Sequence, residues 1–316
     1  MSNNKSSFSL LIVIVLIAFG LVKIPSYFTS SERAYKELDN YLKNKYGEEF
    51  VINYMGLRSV NDKKWYEAGI VFPKSYIGTP KENDTYYWGK GFVNVIGLKL
   101  EPGDSYGKVL LNESANNFYL PKLKELFGEN VLPVLDIKGG YDYTDFQKEL
   151  QVRNKLISGG IYIFGRVEND KDREKYREEI YKFVQFMKET GTFEYTAIAF
   201  NVLDERVLSK EFQENTKLQQ ELVDMGVKNK RTNVKYFREE RRRLMNELPK
   251  KLTPYIKMEN INKSEIGNSV KWSYYNNLLS LPLYSEKYIR ANHLEDTRRI
   301  SKYEKVEDVF FTYEEY

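Results

Sequence analysis

Three acidic side chains stand close together in "GGYDYTDFQKEL", where Asp142, Asp145 and Glu149 follow the Gly139-Gly140 pair and Tyr141 and Tyr143 stand beside them. Two carboxyl groups held about 5 to 9.5 Å apart suffice to cleave a glycosidic bond. The same run reads more simply as a turn entering a helix capped by Thr144 or Asp145. A second concentration of chemistry lies in "YFREERRRLMNELPKK", with Arg238, Arg241 and Arg242 on adjacent turns and Arg243 nearby. Guanidinium groups at this density suit an anionic surface, although pairing with Glu239 and Glu240 on a solvated helix face accounts for them too. His293 is the single histidine and there is no cysteine. A two-histidine zinc site, HExxH and a thiolate nucleophile are therefore excluded, and His293 in "ANHLED" reads as a surface or cap residue. No GxxxxGK[ST], GxSxG or GxGxxG is present, and "GKG" at Gly89 to Gly91 reads as a hairpin turn. The residues therefore point to no catalytic group, no metal and no cofactor.

The N-terminus decides more. From Phe8 to Val22 the chain is apolar but for Ser9: Leu10, Leu11, Ile12, Val13, Ile14, Val15, Leu16, Ile17, Ala18, Phe19, Gly20 and Leu21 fill the run. As a helix it covers about 22 Å of a hydrocarbon core about 30 Å thick. The flanking serines, Lys23 and Ile24 extend it to a short membrane span, ended by Pro25. The competing reading is a cleaved signal peptide, with Lys5 as its charged start and Ala18-Phe19-Gly20 as its cleavage site, but those small residues sit inside the apolar run. The expectation is a single-pass anchor over residues 1–30. Flanking charge alone, Lys5 against Lys23, Arg33 and Lys36, favours an inward-facing domain. The missing cysteines favour the outside, and the large C-terminal part is expected there, in a bacterial envelope. Residue usage fits an AT-rich bacterial genome, so the sequons at Asn83, Asn112 and Asn262 read as incidental.

The rest of the chain is long enough for one large domain or two smaller ones. Of 316 residues 15% are aromatic, 26 of them Tyr, and 30% are charged, which is a globular composition with a wet surface. Net charge is +4 but unevenly spread. Between Gly226 and Lys251 ten Lys or Arg stand against three Glu, whereas Glu304 to Tyr316 holds five acids and one Lys. The two segments are suited to attract each other or different partners.

Positioning elements follow from periodicity. Ala34, Leu38, Tyr41 and Leu42 share one helix face, with Ser30 or Ser31 as cap and Gly47 as terminator. Strands are expected at Phe50 to Ile52, Trp65 to Phe72, Gly91 to Leu100 and Val131 to Ile137, with Gly139-Gly140 and Gly159-Gly160 as turns. Tyr176, Ile180, Phe183, Val184 and Met187 line a further helix that Gly191 ends before the strand "TFEYTAIAF". "LKNKYGEE" at Leu42 and "LKELFGEN" at Leu123 align, as a repeated join or by chance. Beyond Asp204 long charged helices are expected over Glu205 to Met225 and Thr232 to Leu248, then aromatic-rich helices around "LLSLPLY".

With "YLKNKYGEEFVI" leading into "YEAGIVFPK", the chain resembles functionally unassigned, membrane-anchored bacterial surface proteins that carry a YGEEF-like turn. The resemblance spans the first quarter of the exported part and implies no activity, cofactor or site residue; this chain lacks the acylated cysteine of the lipoprotein members. The expectation is an α+β fold: an anchor over 1–30, a mixed helix and antiparallel-sheet domain over 31–203, and a mainly helical region over 204–316. The functional expectation is an extracytoplasmic binding module. Its partners would be the bilayer through the anchor and a protein or anionic envelope component, nucleic acid being unlikely. The alternatives are an envelope hydrolase using an Asp/Glu pair and an inward-facing domain whose basic helix binds lipid or nucleic acid.

Overall fold

The computed structural model describes residues 30–152, 155–208, 258, 261–267, 277–294, 304–306 and 309–311. The fold is α+β with two sheets, and the chain forms two compact units: residues up to Glu82 with Tyr87–Val109, and Asn83–Tyr86 with Leu110 onward. Among the described residues no helix is long and apolar enough to cross a membrane; the expected anchor lies outside them.

The first unit is helix α1 (Ser31–Tyr46) and a four-stranded antiparallel meander, β1 (Phe50–Val60), β2 (Lys63–Pro73), β3 (Gly89–Ile96) and β4 (Lys99–Asp104). Ser30 caps α1 by accepting the Arg33 N–H, and Gly47 ends it in the left-handed conformation. Ala34, Leu38 and Leu42 are fully buried, the stripe that periodicity predicts. "GFVNVIGLKL" is two strands and not one, because Gly97 at φ +62° supplies the left-handed residue of a tight hairpin turn. "GKG" is not a turn but the start of β3. A Cβ on Gly91 would stand 2.6 Å from Leu38, and one on Gly89 2.7 Å from the Tyr106 backbone, so these glycines allow close packing.

The second unit carries β5 (Val131–Lys138), β6 (Leu156–Gly165), β7 (Thr196–Asp204), β8 (Asn277–Ser285), β9 (Glu304–Val306) and β10 (Val309–Phe311) in the order β5-β6-β7-β8-β10-β9. All neighbours are antiparallel except β6 and β7, which run parallel through a crossover helix, here labelled α4 (Asp170–Glu189). The other helices are α2 (Tyr106–Phe127), whose first turn counts with the first unit, α3 (Phe146–Val152), α5 (Lys263–Gly267) and α6 (Glu286–Ala291). Ile180, Phe183, Val184 and Met187 of α4 share one core with Leu111, Tyr119 and Leu123 of α2 and the strand residues Leu135, Ile161, Phe200 and Leu281.

Two further expectations are corrected here. Gly159-Gly160 lies inside β6, where Gly159 has φ +117° and a Cβ would meet the Val134 carbonyl oxygen. "LLSLPLY" is strand β8, flanked by β7 and β10, because an apolar run buried on both faces of a sheet carries no alternation to distinguish it from a helix. Helix α2 has no clear apolar stripe, since it buries polar Asn112 and Asn116 among its apolar residues. The change of character near Asp204 falls at the end of a central strand, and the chain returns to the same sheet as β8. Of the long charged helices, Glu205–Leu208 is a short 3₁₀ turn and the rest lies outside the described residues.

Those two asparagines seal an open edge. β5 is the outermost strand, and its backbone groups on the free side would otherwise be exposed. Asn112 accepts the Ile137 N–H at 2.9 Å and Asn116 the Leu135 N–H at 3.0 Å. Asn116 Nδ2 donates to the Tyr86 hydroxyl at 2.6 Å, which donates to the Leu135 carbonyl at 2.9 Å. One turn of helix plus one tyrosine thus stands in for a neighbouring strand.

Candidate functional site

The acids of "YDYTDFQKE" do not form an open pair. Asp145 accepts the Lys148 N–H at 2.9 Å and caps α3. Glu149 is fully buried and accepts the N–H groups of Asp142 and Tyr143, both at 2.8 Å, which closes the loop after β5 on itself. Its other oxygen lies 2.7 Å from Lys155 Nζ, a second buried charge that also donates to the Gly140 carbonyl. Burial alone would push the Glu149 carboxyl up. Lys155 and the N–H groups of Tyr143 and Asp142 outweigh it and hold the group below its ordinary range. A carboxylate that is buried, bonded by two N–H groups on one oxygen and ion-paired on the other is closed off from a substrate. The turn-and-cap reading accounts for these residues.

The remaining expected sites are quickly placed. His293 is exposed and left-handed at φ +52° just past α6, its N–H bonded to the Arg290 carbonyl, as a terminating residue. Arg238, Arg241, Arg242 and Arg243, and the apolar run Phe8 to Val22, lie outside the described residues. Among the described residues no group of three or more Asp, Glu, His or Cys could hold a metal ion.

What residue spacing did not reveal is the far end of the first sheet. Tyr54 in β1 has φ +40°, a conformation bulky side chains rarely adopt, and its ring lies over Gly56 with 76% exposure. Across from it β2 shifts register against β3 between Ala68 and Val71. The alternation of buried residues along β1 breaks at this point. Before it Phe50 and Ile52 are buried; beyond it Met55 and Leu57 stand opposite Ala68 and Tyr66. Beyond this point the hairpins β1–β2 and β3–β4 run on side by side, with Lys64 opposite Val95. They end in turns at Asn61-Asp62, with φ +45° and +63°, and at Gly97-Leu98.

These ends carry Leu57, Val60, Ile96 and Leu98, each between 55% and 58% exposed. Exposed cationic side chains, Arg58, Lys63, Lys64 and Lys99, surround them, with Asp62 in the first turn. Arg58 bonds Glu67 at 3.2 Å and Lys99 bonds Glu101 at 2.7 Å. Single exposed aliphatics are ordinary on protein surfaces, but Val60, Ile96 and Leu98 come together at two adjacent turns, with Leu57 three residues further back on β1. The signal in the sequence was apolar residues placed at turn positions, "SVNDKK" and "VIGLKL", where polar ones are the rule.

The fold is an α+β arrangement of two units, the first of which carries exposed aliphatic side chains among cations at its hairpin ends. Comparison with family models, curated proteins and solved structures finds no match for the chain.

Proposed function

We propose that the chain is a single-pass, membrane-anchored binding module of a bacterial envelope, with its large C-terminal part on the outer side. The observation that carries this reading is the apolar run Phe8 to Val22 followed, after only residues 23–30, by a capped helix that opens a folded unit. Eight extended residues span at most about 28 Å, so the first unit stays close to the bilayer that holds the run. The absence of cysteine fits an oxidising compartment. Glu149, buried and ion-paired to Lys155, and Asp145, spent on a helix cap, offer nothing in support of the hydrolase alternative.

Fractionation of cells expressing a C-terminally tagged chain, with external protease and intact-mass analysis, tests the proposal. Full-length, membrane-bound and protease-sensitive protein is the expected result. A soluble product beginning near Leu21 would make the run a discarded signal, and a membrane-bound, protected product would place the domain inside.

A further inference from the structure

We infer that the paired hairpin ends of the first unit dock on an anionic bilayer surface, Val60, Ile96 and Leu98 entering the headgroup region while Lys63, Lys64 and Lys99 meet lipid phosphates. The inference rests on the anchored reading above, which supplies the nearby membrane.

Two observations select the bilayer over other occupants. The first is charge: Lys63, Lys64, Lys99 and Arg58 against Asp62, Glu67 and Glu101 leave this end of the sheet with a small net positive charge, with Lys63 and Lys64 in register with Val60 and Val95, which anionic headgroups neutralise. Apolar side chains with lysines behind them match the depth profile of an interface, acyl boundary first and phosphates next. The second is tethering. Residues 23–30 hold the unit within about 28 Å of the bilayer, which turns docking into an intramolecular event at high effective concentration. Weak contacts suffice under that condition. Rigid two-strand ends also lose little freedom on docking, since the tight turns already fix their backbones.

The chain offers a clean probe, because it has no cysteine and a single Leu98→Cys carries the only thiol. A polarity-sensitive fluorophore is placed there in the full-length protein, and at Ser75→Cys, just past the opposite end of β2, as control. Both are reconstituted in nanodiscs of phosphatidylcholine alone, or with one quarter phosphatidylglycerol, containing nitroxide-labelled lipid. Docking predicts that the label at 98 is quenched and blue-shifted in the anionic discs, more weakly in the neutral ones, and that the label at 75 is neither. Each lysine beside an anionic surface contributes about fivefold. Lys63→Glu/Lys64→Glu/Lys99→Glu should therefore lower the docking equilibrium about 100-fold or more and abolish the lipid dependence. Equal signals at 98 and 75 in both discs overturn the inference.

Co-migration of chain and disc in high salt reads the anchor separately. Retention without shielding at 98 leaves the anchor standing and sinks the docking surface. Salt-sensitive co-migration with shielding at 98 supports docking and removes the anchor.

Discussion

The two units make the same local join and then diverge. In the first, α1 ends at Gly47, at φ +74°, whose N–H reaches the Lys43 carbonyl at 2.8 Å; in the second, α2 ends at Gly128, at φ +84°, whose N–H reaches Lys124 at 2.9 Å. Each glycine is followed by a strand, and each carbonyl just before that strand accepts an N–H from the far end of the next one, Lys74 to Glu49 and Phe164 to Asn130. Beyond the join the first unit leaves its hairpin ends open to solvent. The second spends polar side chains on closure: Asn112, Asn116 and Tyr86 seal β5, and Glu149 with Lys155 locks the following loop. One helix-to-strand device thus serves both a presenting unit and a self-contained one.

The sharpest way to break this contrast is Glu149→Ala, which leaves Lys155 buried without its counter-ion and should cost about 3–5 kcal/mol in urea unfolding. Glu149→Gln with Lys155→Met should recover most of it. The corresponding anion of the first unit, Asp104, accepts Lys45 and Tyr46, both at 2.7 Å, but Lys45 keeps access to water. Asp104→Asn should therefore cost less, about 1–3 kcal/mol. Both carboxyls sit below their ordinary range, because their cationic and hydrogen-bonding partners outweigh burial. A lowered native value means that their stabilisation is complete above the unfolded carboxylate range and is lost as pH falls through the native values. Stability measured by equilibrium unfolding should fall below about pH 4.5, and less steeply in the Gln/Met double variant; identical slopes would remove the pair from the acid response.

Asn116→Leu should cost about 1–3 kcal/mol by orphaning the Leu135 N–H. Amide exchange should rise at β5 and not in the first unit; uniform exchange would refute the sealing role. Gly47→Ala and Gly128→Ala should each cost about 1 kcal/mol, and equally, since no atom lies within 4 Å of either added Cβ and only the left-handed backbone is at stake. A difference beyond about 0.5 kcal/mol would show that the two joins are not equivalent. The smallest effect is a gain: Tyr54→Asn should stabilise by about 0.5–1 kcal/mol, because asparagine tolerates the left-handed region. A loss would show that packing of the ring on Gly56 outweighs the strain.

Periodicity made the regular parts legible. The stripes of α1 and α4, their terminating glycines and the strand at Val131 follow from residue spacing because each element buries one face and wets the other. The same logic failed where burial is two-sided or polar: β8 carries no alternation, and α2 hides asparagines that serve β5, a partner that spacing along one helix cannot identify. Glycine misled three times, at Gly89-Lys90-Gly91, Gly97 and Gly159, since the residue serves turns and close contacts alike. The acids after Gly139 were legible as a cap, but the Glu149–Lys155 pair was not, because nothing in "NKL" marks Lys155 as buried. The cluster of exposed aliphatics was visible only once two turns, more than thirty residues apart in the chain, stood side by side.

The pairing of β7 with β8 has a consequence in time. The first unit is built from neighbouring hairpins, so its contacts close as soon as each strand is made. β7 ends at Asp204 and β8 at Ser285, about 80 residues later. At roughly 5–20 residues per second, synthesis leaves β7 waiting some 4 to 16 s with Ile198, Phe200 and Val202 on an unpaired edge. That interval is when the chain is most exposed to mispairing with another copy, so a holding chaperone would act most usefully between the emergence of β7 and that of β8.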